Sequence, residues 1–251
     1  MFKHRLLALL LLSPSILLPS LSYSAPITAI IEDVSTLCKN KSIILLGERH
    51  QQPNSQKLFI QLVQHYIHNR NRVLVGLEIP ADKQIELDNA LAGGTDFSFI
   101  HSTIDHSAYR DMIHTLGTMK GNVIIQAIDA REDDVFRDKA MSRNLLSAQA
   151  SGEYDKILVL VGSLHAVKNI TWIEGLNLDK QYLAGNLIAG GEAPCSVFQL
   201  FKAKAKGADK PVFVKIDTDK GSLLAMEVIK PMNHSDKMIG VDVGDAVVEW
   251  K

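Results

Sequence analysis

Two cysteines, Cys38 and Cys195, are all that 251 residues provide. So few cannot staple a small disulfide scaffold, and neither has a His or Cys at the spacing of a zinc module. In an exported chain they have one intramolecular pairing open to them; the alternative is two buried thiols. Both stand just before apolar runs read below as strands. A Cys38–Cys195 disulfide would therefore lie at the sheet edge opposite the strand exits and serve a structural role.

Excess basic charge is also missing. Setting aside Lys3 and Arg5, 25 basic residues face 28 acidic ones, a formal charge of −3. That argues against a nucleic-acid partner, which needs a basic surface to offset phosphates. No phosphate-binding G-x-x-x-x-G-K-[ST] loop or dinucleotide G-x-G-x-x-G occurs. "VGSLH" lacks the second glycine of a G-x-S-x-G nucleophile elbow, so Ser163 is read as shaping a turn.

A long unbroken apolar run is absent as well. "MFKHRLLALLLLSPSILLPSLSYSA" opens on Lys3 and Arg5, and Pro14 and Pro19 interrupt its apolar stretch well short of a membrane span. Ser22 and Ser24 fit a small-x-small cleavage site that leaves Ala25 as the new N-terminus. Residues 1–24 are thus expected to be a secretory signal peptide, with no stable membrane anchor and a periplasmic or secreted destination. Residues 25–251 suit a single α/β domain. Oligomeric state is not legible.

What the sequence does contain is a series of short, near-continuous apolar runs: "SIILLG" (42–47), "RVLVGLEIP" (72–80), "NVIIQAID" (122–129) and "KILVLVG" (156–162). Such runs fit strands buried on both faces, as in parallel sheets. Between the first two, Leu58, Phe59, Leu62, Val63, Tyr66 and Ile67 form a helical stripe, with Pro53 and Ser55 as start signals. "ADKQIELDNALAGG" predicts a short helix stopped by Gly93 and Gly94. A helix over 98–119 would face Tyr109, Met112, Ile113 and Leu116 inward. A further helix ending near Gly152 would align Phe136, Ala140, Leu145 and Ala148. The alternation predicts a three-layer α/β fold, its mostly parallel sheet flanked by helices. Further on, "SVFQLFKA" predicts a strand, and "PVFVKIDTDKGSLLAMEVI" two strands joined around Asp219, Lys220 and Gly221, a C-terminal antiparallel hairpin. "AVVEW" would close the chain as an edge strand.

Open parallel sheets bind ligands beyond the carboxyl ends of their strands. All four runs carry polar chemistry there: Glu48, Arg49 and His50; Glu78; Asp129 and Arg131; Ser163 and His165. Each alone reads as an ordinary loop charge or cap, yet the topology sets the four side by side. Alternation along an extended 47–50 puts Glu48 and His50 on one side and Arg49 on the other, as a brace or surface residue. Gly47 and Gly162 allow a sharp turn or a close approach. A carboxylate-held imidazole can act as general base, with Arg49 or Arg131 stabilising an oxyanion. Glu48, His50, Glu78 and His165 are equally competent ligands for a divalent metal. His65 and His68 read as a solvated helix face. His101, His106 and His114 surround the 98–119 segment, where they would be surface residues or part of a lid.

"GERH", "GLE", "RDKAMSRNL" and "GSLH", in this order over roughly residues 42–200, resemble the ChaN, Tiki and erythromycin-esterase superfamily, most closely its ChaN-like exported branch. The resemblance implies a three-layer fold with its site at the strand ends. It puts Glu48, His50, Glu78 and His165 at the shared site, with Arg137 and Asn144 bracing or entering it. It also implies three chemistries: metal-dependent proteolysis, metal-free lactone opening, and haem binding through tyrosine. For haem, Tyr66, Tyr109, Tyr154 and Tyr182 are available, the first two on helical core faces. The leading expectation is a hydrolase-type site acting on a small-molecule or peptide ligand, with or without a divalent metal. Haem or iron binding without turnover, and a non-catalytic interaction module, are the alternatives.

Overall fold

A computed structural model of the protein describes residues 25–119, 121–172, 181–202, 210–229 and 238–251. The expected signal peptide, residues 1–24, lies outside them. Helix α1 (Ala25–Leu37) leads into β1 (Ile43–Glu48), followed by α2 (Pro53–His68), β2 (Val73–Pro80), α3 (Gln84–Leu91) and α4 (Ser107–Thr118). Then come β3 (Val123–Asp129), α5 (Arg137–Ala150), β4 (Lys156–Gly162), a 3-10 turn at Ser163–Ala166, β5 (Asn169–Trp172) and α6 (Leu183–Ala189). The chain ends with β6 (Cys195–Phe201), β7 (Pro211–Lys215), α7 (Asp219–Ile229), β8 (Met238–Asp242) and β9 (Ala246–Trp250).

Seven strands form one sheet in the order β3-β2-β4-β1-β6-β9-β7, while β5 and β8 pair separately. Every pairing in the large sheet is parallel except β7 with β9. Alternating strand residues feed two cores. Ile44, Leu46, Leu158 and Leu160 join the cluster built with α1–α4, whereas Ile43, Leu45, Val159 and Val161 join the one built with α5–α7. Both faces are therefore covered, and that is why these strands read as unbroken apolar runs. Among the described residues no helix is long and apolar enough to cross a membrane.

Four local expectations are corrected. Residues 219–229 form α7 rather than the second arm of a hairpin. Leu224, Ala225, Val228 and Ile229 are buried at helical spacing, and Thr218 Oγ1 accepts the Gly221 amide at the helix start. The antiparallel pair at the C-terminus is β7 with β9, so β9 lies inside the sheet and β7 forms the edge. Helix α4 begins at Ser107, not near residue 98. Ahead of it, Asp96 accepts the Ser98 amide and His101 Nδ1 the Thr103 amide, bonds that favour turns over helix. Phe136 lies just before α5 and is 70% exposed instead of facing inward.

Cys38 and Cys195 are joined in a disulfide. Ile44 pairs with Cys195, so the bridge sits where β1 and β6 begin, at the opposite edge from the strand exits. It closes a loop of 157 residues. Reduction, or the pair Cys38→Ala and Cys195→Ala, is expected to lower the unfolding free energy by about 3–5 kcal/mol, most of it through the unfolded chain. Urea denaturation with and without reductant measures this. Histidine titrations followed by NMR should be unchanged, since no site residue touches the bridge.

Candidate functional site

Strand β4 runs between β1 and β2, and register places Glu48 directly opposite Gly162. From the other side, Glu78 Oε2 accepts the Gly162 amide at 2.7 Å. Two carboxylates from different strands thus flank one glycine. His50 folds back over the same residue: a Cβ on Gly162 would lie 2.9 Å from His50 Cε1 and 3.0 Å from Nε2. Only glycine permits this approach, because any side chain would displace the imidazole. Beyond His50, Gln51 takes a left-handed φ of 61°, and the chain turns there into α2 two residues on.

The first half of the site rises from the α2 and α4 face. His50 Nδ1 lies 3.0 Å from Glu48 Oε1, and Gln56 Nε2 donates to Glu48 Oε2 at 2.5 Å. Glu48 is 2% exposed and His50 30%. The Glu48 hydrogen bond raises the His50 pKa above its ordinary 6.5 against the opposing effect of burial. With Nδ1 turned to the carboxylate, Nε2 is the ring atom left to meet a ligand.

The second half belongs to the α5 and α6 face. His165 Nδ1 lies 2.6 Å from Asp138 Oδ1, which also accepts the Leu183 amide at 2.8 Å. Its Nε2 lies 3.5 Å from Glu78 Oε1. Arg137 clamps Asp129 through Nε at 2.8 Å and Nη2 at 2.6 Å, and the same Nη2 reaches Glu78 at 2.6 Å. Burial alone would push the His165 pKa down, but the Asp138 and Glu78 carboxylates carry it up to about 9. Burial would likewise raise Glu78, and His165, Arg137 and the Gly162 amide outweigh it, holding the carboxyl at about 2. His165 is therefore an imidazolium at neutral pH, locked between two carboxylates.

The remaining expected residues divide into braces and bystanders. Ser163 Oγ donates to the Glu48 carbonyl at 3.0 Å and Asn144 Nδ2 to the Ile128 carbonyl at 2.9 Å, so each ties a strand exit to the next segment. Arg49 and Arg131 are exposed, and neither guanidinium joins the cluster. His114 packs edge-on against Phe97 and His68 bonds the Gln64 carbonyl; of the histidines around α4, His106 alone couples to Glu48 and His50. Asp138, Gln56, Tyr109 and His106 were missed as site residues. Asp138 follows Arg137 directly in "RDKAMSRNL", the one signal that could have found it. Tyr109 was read as core, and it is 1% exposed. Its hydroxyl nevertheless has no hydrogen-bond partner among the described residues, and the Glu48, Glu78 and Asp129 charges act on it.

The expected metal set Glu48, His50, Glu78 and His165 does not take ligating geometry among the described residues. Among the described residues, no three His, Cys, Asp or Glu side chains are grouped to hold a metal ion. The reason is visible in the contacts: Glu78 already serves Arg137, His165 and Gly162, and both His165 nitrogens face carboxylates. Tyrosine ligation of haem fits no better. Tyr66, Tyr109 and Tyr182 are buried, and Tyr154 precedes β4 at the opposite sheet edge.

Fold and pocket together define a three-layer α/β protein whose two carboxylate–histidine pairs meet beyond the strand ends. No family model matches the sequence, and no curated protein matches it. Among solved structures, a Bacillus cereus protein is 10% identical, with 92% of each chain covered and a TM-score of 0.57. ChaN of Campylobacter jejuni, described as binding haem cofacially, is 13% identical over 89% of this chain and 91% of its own, at a TM-score of 0.46. The type III effector HopBA1 is 12% identical over 73% and 85%, at 0.48. At these identities the Bacillus cereus likeness shows a shared fold and nothing finer.

The two buried charges set opposite limits on stability. His165 has a folded pKa above that of a free histidine, so its contribution is complete below about pH 6.5 and vanishes as pH rises through about 9. Glu78 has a folded pKa below its ordinary 4.5, so its contribution is present above that value and is lost as pH falls toward about 2. Urea melts across pH 5–10 should therefore show an alkaline loss on the order of 3 kcal/mol. His165→Asn should remove most of that loss.

Proposed function

We propose that the protein is a hydrolase-type enzyme that activates water. Glu48 holds His50 Nδ1, leaving Nε2 to take a proton from water, while Gln56 fixes Glu48 in turn. His165 is the complementary group: buried and held charged between Asp138 and Glu78, it would place a fixed positive charge beside the pocket that stabilises developing negative charge. The observation that carries the reading is the contrast between the two imidazoles. One is half-exposed with a single carboxylate; the other is buried between two and held charged up to about pH 9. Environments that separate two titratable groups in this way mark an acid and a base. The superfamily resemblance of the motifs assigns its shared site to the same four residues, Glu48, His50, Glu78 and His165, which supports the reading. Arg137 would neutralise Glu78 and Asp129 and so keep the half-sites together.

The mature chain would act in the periplasm or outside the cell, a reading supported by the Cys38–Cys195 disulfide. A purified mature protein that still carries Met1 by mass spectrometry would exclude export through residues 1–24.

An ester, amide and lactone screen on the wild type and His50→Ala tests the chemistry. Turnover is expected to fall by about 10²–10⁴-fold in the variant, with unfolding free energy changed by about 1 kcal/mol or less because His50 lies outside the core. The rate should rise with pH as His50 loses its proton above 6.5 and fall near 9 as His165 loses its own. Equal turnover in His50→Ala would overturn the mechanism. A stoichiometric Soret shift on haem titration without turnover would point to binding alone, and silence in both assays to an interaction module.

A further inference from the structure

The β3–α5 connection exposes two adjacent apolar side chains, Val135 at 85% and Phe136 at 70%, directly before the arginine that clamps the site. They form the lip of a groove of about 870 Å3 between α5 and α6. Its inner end is lined by Arg137, Asp138 and His165, so it opens onto the charged half of the pocket. A volume of this order fits a drug-sized molecule.

The charge of the groove is one-sided. Lys139 and Arg143 share one face of α5 at i, i+4 spacing and both line it. Arg143 is paired with Asp134 at 2.7 Å, and Arg137 with Glu78 and Asp129. Lys139 has no carboxylate within ion-pair distance among the described residues. The one acidic side chain in the lining, Asp138, is buried and committed to His165. Leu146 and Ala189 continue the apolar wall behind Phe136.

We propose that this groove binds the non-reacting body of the substrate, and that the body is an amphiphilic anion: an apolar or aromatic skeleton against Val135, Phe136 and Leu146, with one anionic group at Lys139. The proposal names a substrate class and rests on the hydrolase reading above for its connection to chemistry, although the binding itself does not require turnover. Such a ligand would cover the exposed Phe136 ring and give Lys139 an anionic partner in the same event. Deeper in, the carboxylates of the site repel a second anion, which sets the direction in which such a molecule lies.

Two fluorescent probes separate the parts of the proposal. Anilinonaphthalene sulfonate has an aromatic body and an anion; N-phenyl-1-naphthylamine has the same body without charge. The sulfonate should bind the full-length mature protein saturably at one site and more weakly as salt is raised. Phe136→Ser should weaken both probes by about tenfold. Lys139→Glu should weaken the sulfonate by about tenfold and change the uncharged probe by less than about twofold. Both positions are on the surface, so folding is preserved, and circular dichroism checks that. Sulfonate binding that is absent, unsaturable or equal in all variants would overturn the proposal, as would equal affinity for the two probes. The ester, amide and lactone screen on the wild type provides the independent arm. Retained sulfonate binding without any wild-type hydrolysis would leave the groove standing and remove the hydrolase reading, whereas hydrolysis without sulfonate binding would do the reverse.

Discussion

Everything in the pocket is organised around the space that Gly162 leaves empty. His50 occupies the position a side chain there would fill, while the Gly162 amide donates to Glu78 and its strand register faces Glu48. One residue without a Cβ therefore joins the two halves of the site, which rise from opposite faces of the sheet. A methyl group at this position would push the imidazole outward and stretch the Glu48–His50 bond. Gly47, one residue before Glu48, meets a similar limit, since its own Cβ would lie 3.1 Å from Ser163 Cα. Close backbone packing at the exits of β1 and β4 is what brings the acidic and imidazole groups within reach of each other.

That packing concentrates charge, and the structure balances it. Glu48, Glu78, Asp129 and Asp138 are each less than 10% exposed. Unpaired carboxylates in such surroundings would be costly. Arg137 takes up two of them, His165 faces Glu78 and Asp138, and Gln56 and His50 share Glu48. The balance is uneven by construction: His165 has two carboxylates and little solvent, His50 has one carboxylate and an open side. The same physical terms, burial against ion pairing, thus produce one imidazole locked in its charged form and one left able to exchange its proton.

The scaffold keeps these demands away from its stabilising features. The disulfide lies at the opposite edge of the sheet, and the apolar clusters fill both faces up to the strand exits. Helix α4 is where the two regions meet. It packs Met112, Ile113 and Leu116 into the core, yet the Tyr109 hydroxyl on it and Nε2 of His106 just before it are buried without hydrogen-bond partners among the described residues, within electrostatic reach of Glu48. Burial and the nearby carboxylates hold the Tyr109 proton on its oxygen. The hydroxyl is thus a fixed donor beside the first half of the site.

Much of this was legible in the sequence because it follows from local patterns. Continuous Ile, Leu and Val runs mean strands covered on both sides. Stripes such as Leu58, Phe59, Leu62 and Val63 mean helices against a sheet, and strands alternating with helices mean parallel order, which puts Glu48, His50, Glu78 and His165 at a common edge. Alternation also put Glu48 and His50 on one side and sent Arg49 away from them. The sequence misled where a segment's apolar content fitted two periods: Leu224, Ala225, Val228 and Ile229 serve a helix, though the residues before them favour strand. It was silent wherever the answer depended on distance through space. That Asp138 orients His165, that Gln56 holds Glu48, that Glu78 is engaged by Arg137, His165 and the Gly162 amide, and that Phe136 faces water were all decided by tertiary packing. Charge pairing and burial are set by which side chains packing brings together, from Gln56 eight residues beyond Glu48 to Arg137, 59 residues beyond Glu78.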